Sequence, residues 1–224
     1  MADETYTEFA KVHVRLGRVA ESRRLTGTLA LPIIVEGKGE IMSREYTILG
    51  IAGSLRAAST NKGLLRCAKV QAPQEFQVTI ADISDVPFYN ADIQGHPPAV
   101  SRVLDQMAKA DAFLLACAEY NYSMAPALKN ILDWASRLPG NSALDGKPAG
   151  IIGAGGGMGT ARAQYHLRQT CVYLNLHVMN KPEFFANAFA GDFDADGNLT
   201  ADSGVGKLAE YMLAFSKWVA VHRL

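Results

Sequence analysis

Three short stretches of the chain concentrate residues able to hold a charged, planar ligand. The first, GSLRAASTN (53–61), brings Ser54, Arg56, Ser59, Thr60 and Asn61 together directly after the apolar run YTILGIA (46–52). Hydroxyls, a carboxamide and a fixed positive charge at one chain reversal suit an oxyanion. Ser59 or Thr60 can cap the helix that follows, whose first N–H groups have no internal partners. That helix end is electropositive, so Arg56 beside it is unfavourable unless an anion lies between them. A phosphate meets the need, because it accepts from amides and hydroxyls and pairs with a guanidinium. The plainer alternative is a capping loop with a solvated arginine. The stretch is not a Walker A loop, since it holds no G-x-x-x-x-G-K-[ST].

The second stretch, AEYNYSMAPALKN (118–130), sets Glu119, Tyr120 and Asn121 where an apolar run ends. Tyr120 and Tyr122 offer flat apolar surface, and Asn121 offers a donor and an acceptor. The mixture suits a planar heterocycle with polar edges, or an aromatic turn packed on its own helix. Pro126 fits the first helical position, and Lys129 can pair with Asp133 one turn on. The third stretch, GAGGGMGTARAQ (153–164), holds five glycines in seven positions, Gly156 and Gly157 among them, and then Met158. Backbone free of side chains can approach a ligand closely, and glycines with φ > 0 can turn successive amides inward. The run spells no G-x-G-x-x-G. Thr160 is a candidate helix cap, and Arg162 and Gln164 face either a ligand or a subunit contact.

These stretches need a scaffold, and the chain supplies one. Apolar runs at 46–52, 76–82, 112–117, 148–153 and 177–180 alternate with amphipathic patterns at about 60–71, 98–109, 125–137, 160–174 and 205–221. Short apolar strands between helices indicate right-handed βαβ units and a parallel sheet buried on both faces. Five strands in this rhythm predict a doubly wound α/β fold of order 2-1-3-4-5, whose ligands bind beyond the carboxyl ends of the strands. The three stretches follow strands 1, 3 and 4, which are neighbours in that order. Together they suit one phosphorylated aromatic ligand, and FMN is a mononucleotide of that kind.

Composition narrows the functional classes. Lys+Arg and Asp+Glu each number 22 in 224 residues, so no whole-chain field draws nucleic acid or an anionic membrane. Cys67, Cys117 and Cys171 are sparse and odd in number, which fits a reducing compartment. The histidines show no metal-ligand spacing, and no run approaches the ~20 apolar residues of a membrane span. The expected location is cytoplasmic. Residues 1–43 lack sustained periodicity. Their arginines hint at a transit peptide, which Asp3, Glu4, Glu8 and Glu21 oppose. They are expected to form an extension of unclear role beside a domain over 44–224, and Met42 is a possible alternative start.

The motifs GSLRAASTN (53–61), EYNYSMAPALKNILDW (119–134) and GAGGGMGTARAQ (153–164), in this order and spacing, resemble the NADPH-dependent FMN reductases, specifically the flavodoxin-like quinone reductases. The resemblance covers about 44–222. It implies a flavodoxin-like fold, non-covalent FMN, NADPH or NADH as hydride donor, a homodimer or homotetramer, and hydride transfer at the flavin without a catalytic side chain. By position, Ser54, Arg56, Ser59, Thr60 and Asn61 would hold the phosphate and ribityl chain. Glu119, Tyr120 and Asn121 would contact the isoalloxazine, and Gly156, Gly157 and Met158 would line its edge. The family usually carries proline where this chain has Ala118. The implied activity is two-electron, ping-pong reduction of quinones or similar flat acceptors. Alternatives are a flavodoxin-type electron carrier, a reductase of free FMN, and a flavin-sensing regulatory module. DFDADGNLTADS (192–203) resembles the start of a calcium loop, but its twelfth position is Ser203 rather than glutamate, so a surface Asp-Gly turn is expected.

Overall fold

The computed structural model describes residues 45–222; the extension expected over 1–43 lies outside the described residues. In chain order the elements are β1 (Tyr46–Ala52), α1 (Thr60–Val70), β2 (Phe76–Ile80), α2 (Pro98–Lys109), β3 (Ala112–Ala116), β4 (Glu119–Tyr120), β5 (Ser123–Met124), α3 (Pro126–Ala135), β6 (Pro148–Gly155), α4 (Ala161–Tyr173), β7 (His177–Val178), β8 (Phe184–Asn187) and α5 (Asp202–His222). The main sheet runs β2-β1-β3-β6-β7, and every pairing in it is parallel. This is the doubly wound order expected from the apolar rhythm.

The sheet is buried on both faces. All five residues of β3, AFLLA, are buried, as are the first seven of β6. Leu49, Ile51, Phe113, Leu115 and Ile151 pack on one side with α2, α3 and α4. Ile48, Leu114 and Ile152 pack on the other with α1 and α5. The period of two along each strand divides its side chains between these cores.

The boundaries differ from expectation in informative ways. β2 stops at Ile80, because Ala81 is the last residue to bond the sheet, through its N–H to the Gly50 carbonyl. The fifth sheet position is shared by two short strands. β7 pairs with Pro148 and Ala149 at the foot of β6, while β8 pairs with Ile152–Gly155 at its head. Pro182 lies in the gap and cannot donate to a ladder. The β4–β5 hairpin was not foreseen either. Its two-residue turn, Asn121-Tyr122, lacks the glycine that usually marks such turns.

Candidate functional site

The three turns leave the sheet at one level. Ile48–Ala52 of β1 pairs with Ala112–Ala116 of β3, which pairs in turn with Ala149–Ile152 of β6. Two more bonds carry the ladder to the rim, from Gly53 N to Ala116 O (2.9 Å) and from Cys117 N to Ile152 O (2.8 Å). Parallel strands in register therefore place residues 53–61, 118–125 and 155–160 side by side.

Side chains then tie the turns together. Asn61 in the first turn of α1 is buried; its Nδ2 donates to Ala154 O (2.9 Å) and its Oδ1 accepts from Ala154 N (3.0 Å). These two hydrogen bonds join the start of α1 to the end of β6. Tyr120 Oη donates to Ser54 Oγ (3.4 Å), joining the turns after β3 and β1. Glu119 Oε1 accepts from Arg162 Nε (2.7 Å), and its Oε2 accepts from Ala163 N (3.2 Å), which joins the turn after β3 to the start of α4.

The first turn keeps unspent binding capacity. Ser59 is the N-cap, its Oγ accepting from Lys62 N (3.3 Å). The amides of Thr60 and Asn61 have no partner among the described residues. Arg56 is exposed and forms no ion pair with any described residue. Ser54 is buried beside it.

The second turn is strained. Asn121 (φ 50°) and Tyr122 (φ 69°) both adopt the left-handed region, which a tyrosine rarely occupies. Tyr120 and Tyr122 are exposed, and the guanidinium of Arg162 lies 3.7 Å above the Tyr122 ring. Ala118, at 3% exposure, closes the hairpin by accepting from Ala125 N (3.0 Å). Pro126 opens α3, and Lys129 pairs with Asp133 at 2.7 Å.

The glycines of the third turn divide into two kinds. A Cβ on Gly153 would overlap Thr160 Oγ1, and one on Gly155 would overlap the Gly159 carbonyl, so these two permit close packing. Gly156 and Gly157 face open space, with nothing within 4 Å of a Cβ on either. Only Gly159 in this turn has positive φ (60°), so the run is not a succession of inward-turned amides. Met158 stands exposed at its tip. Thr160 occupies the cap position of α4 but makes no capping bond; its buried Oγ1 instead accepts from Gln164 Nε2 (3.1 Å). Gln164 is thereby an interior residue, which also donates to Phe184 O (3.0 Å).

The segment suggestive of calcium closes on itself. Asp194 accepts from Asp196 N, Asn198 N and Asn198 Nδ2, and its carboxyl is held below the usual range by those donors. Among the described residues no group of acidic, histidine or cysteine side chains is arranged for a metal. The turn docks on α1 through Arg66, whose Nε donates to Asn198 Oδ1 at 2.6 Å.

Residues 46–191 match the family model of the NADPH-dependent FMN reductases. The chain belongs to this family. It is 48% identical over 181 residues to an NAD(P)H-dependent FMN reductase of Pseudomonas aeruginosa, covering 80% of this chain and 97% of that one. It is 44% identical over 176 residues to an NADPH:quinone oxidoreductase of Arabidopsis thaliana, covering 75% and 88%. Among solved structures it is similar to FerB of Paracoccus denitrificans, a flavoenzyme NAD(P)H:(acceptor) oxidoreductase, with TM-score 0.73, 32% identity and coverage of 80% and 100%.

Within the family fold, two features escaped sequence reasoning. The Arg162–Glu119 pair joins residues 43 positions apart, and only the parallel pairing of β3 with β6 brings them together. The role of Asn61 as a brace was equally hidden, because a buried carboxamide and a ligand-binding one look alike in sequence.

Proposed function

We propose that the chain is an FMN-dependent NAD(P)H:quinone oxidoreductase acting on quinones or similar flat acceptors in a ping-pong cycle. When bound, FMN would supply the redox chemistry, a two-electron exchange between NAD(P)H and the acceptor. The observation that carries the assignment is the convergence of three mutually bonded turns around an unpaired cation, free helix-terminal amides and open glycine backbone.

Each group has a fitting task. Arg56, Ser54, Ser59 and Thr60, with the first amides of α1, bind the phosphate and ribityl chain. Asn61 keeps that turn against β6. Tyr120, Asn121 and the backbone at Glu119 orient the ring, while Gly156, Gly157 and Met158 admit its edge. No side chain is required as a nucleophile. Cys117, just behind the site, is unsuited to that role, because burial pushes its thiol up to about 12.

We assign 44–224 to the FMN-binding domain and infer a homodimer or homotetramer. Tyr165, Val172 and Tyr173 support self-association, since all three are large apolar or aromatic side chains left exposed on α4. The decisive experiment is absorbance of the purified protein. Flavin bands bleached by NADPH and restored by benzoquinone support the assignment, and a protein that cannot be loaded with FMN refutes it.

A further inference from the structure

We propose that Arg162 and Glu119 form a positioning clasp that locks the strained Asn121-Tyr122 turn onto α4 and keeps unbalanced charge away from the flavin. The inference rests on the FMN reading above and assigns these residues a task within it.

The backbone at this turn needs outside support. Left-handed backbone is disfavoured for residues that carry a side chain, and such conformations persist only where surroundings over-determine them. The hairpin itself offers two residue pairs, Glu119↔Met124 and Tyr120↔Ser123, too few to enforce a turn alone. The rest comes from α4. Arg162 covers the Tyr122 ring at 3.7 Å. Glu119, on the outgoing strand, takes the same guanidinium at 2.5 Å through Nη2 and also caps Ala163 N. Ser123, on the returning strand, meets His166 Nδ1 at 3.0 Å. Four contacts from Arg162, Ala163 and His166 along one helix thus hold both strands and the tip. Tyr120 and Asn121, between the anchors, are carried at a fixed height above the sheet.

Charge explains why the clasp is an ion pair. Arg162 lies in the first turn of α4, where the helix dipole disfavours a cation. The Glu119 side chain is only 8% exposed and would be costly without a partner. Each cancels the other beside the glycine turn. Removing one leaves the other uncancelled, with opposite consequences for a flavin that gains negative charge on reduction.

The test compares wild type with R162A, R162K and E119Q, measuring FMN affinity of apoprotein by fluorescence titration and the midpoint potential of the loaded protein. R162A is expected to bind FMN about tenfold more weakly and to move the potential negative. E119Q is expected to move it positive. Each shift corresponds to an about tenfold change in the ratio of affinities for reduced and oxidised FMN, or about 30 mV for a two-electron couple. R162K keeps the cancelling charge but loses the planar stack, so it should weaken FMN binding while leaving the potential near that of wild type. Should R162A not fold, E119Q and R162K still decide the matter. Potentials that move in the same direction, or variants that match wild type in both measurements, overturn the clasp. A wild-type protein that does not bind FMN instead overturns the functional assignment.

Discussion

Two helices begin at the rim of the sheet with an arginine beside their electropositive ends, and the chain treats them differently. At α4, Arg162 is answered from within the protein by the Glu119 carboxylate, which also caps Ala163 N. At α1, Arg56 is exposed without an ion-pair partner among the described residues, and the amides of Thr60 and Asn61 are unengaged. Both sites carry the same electrostatic conflict. One is resolved by folding, and the other is left for a ligand to resolve. The difference teaches that an anion site is marked by what a fold leaves unpaired at a helix end, since a hydroxyl residue, glycine and arginine occur at both.

The contrast can be stressed at several points. The largest effect is expected at Gly63, where α1 is held from behind by the 192–200 turn. A Cβ there would overlap the Gly197 carbonyl oxygen, which is backbone and cannot swing aside. Gly63→Ala should cost about 3 kcal/mol of stability, read as a lowered denaturation midpoint. A near-neutral variant would mean that α1 is not anchored there.

Glu119→Ala comes next. It strips Arg162 and the Ala163 amide of their partner, and a loss of about 2 kcal/mol in chemical denaturation is expected, discounted for the partly exposed arginine. Arg56→Ala should do the reverse. Stability of the apoprotein should stay within about 0.5 kcal/mol, as for other exposed groups. FMN affinity should nevertheless fall about tenfold or more, through loss of a charge-assisted bond worth about 1.5–3 kcal/mol. Matching responses of the two arginine sites in stability and binding would erase the distinction between them.

The smallest effect is confined to alkaline solution. Burial raises the thiols of Cys117 and Cys171 to about 12. In the unfolded chain they ionise near ~8.5. Their contribution to stability is therefore complete below that pH and is lost as pH climbs toward about 12. Thermal melts should show a declining midpoint above about pH 9, with a flatter slope in the double alanine variant and no difference in slope near neutrality.

The sequence was most legible where pattern alone decides. The apolar runs at 46–52 and 112–117 and the amphipathic stretch at 98–109 match β1, β3 and α2 to within a residue, because burial on both faces demands continuous apolar strands. Ser59 as a cap and Pro126 at a helix start are local rules and were readable as such. The divided fifth strand was not, since Pro182 interrupts its pattern. Side-chain partners across the rim were the least accessible. Asn61 spends its carboxamide on Ala154, 93 positions away, and Arg162 finds Glu119 only after three strands align. Such pairings depend on register, which no local window contains.

The most direct test of the central claim compares FMN with riboflavin, which has the same ring but no phosphate, in titrations of the apoprotein. If the unpaired cation and free amides at α1 are kept for a phosphate, FMN should bind at least about a hundredfold more tightly, the equivalent of two charge-assisted bonds. Equal affinities for the two flavins would contradict the account.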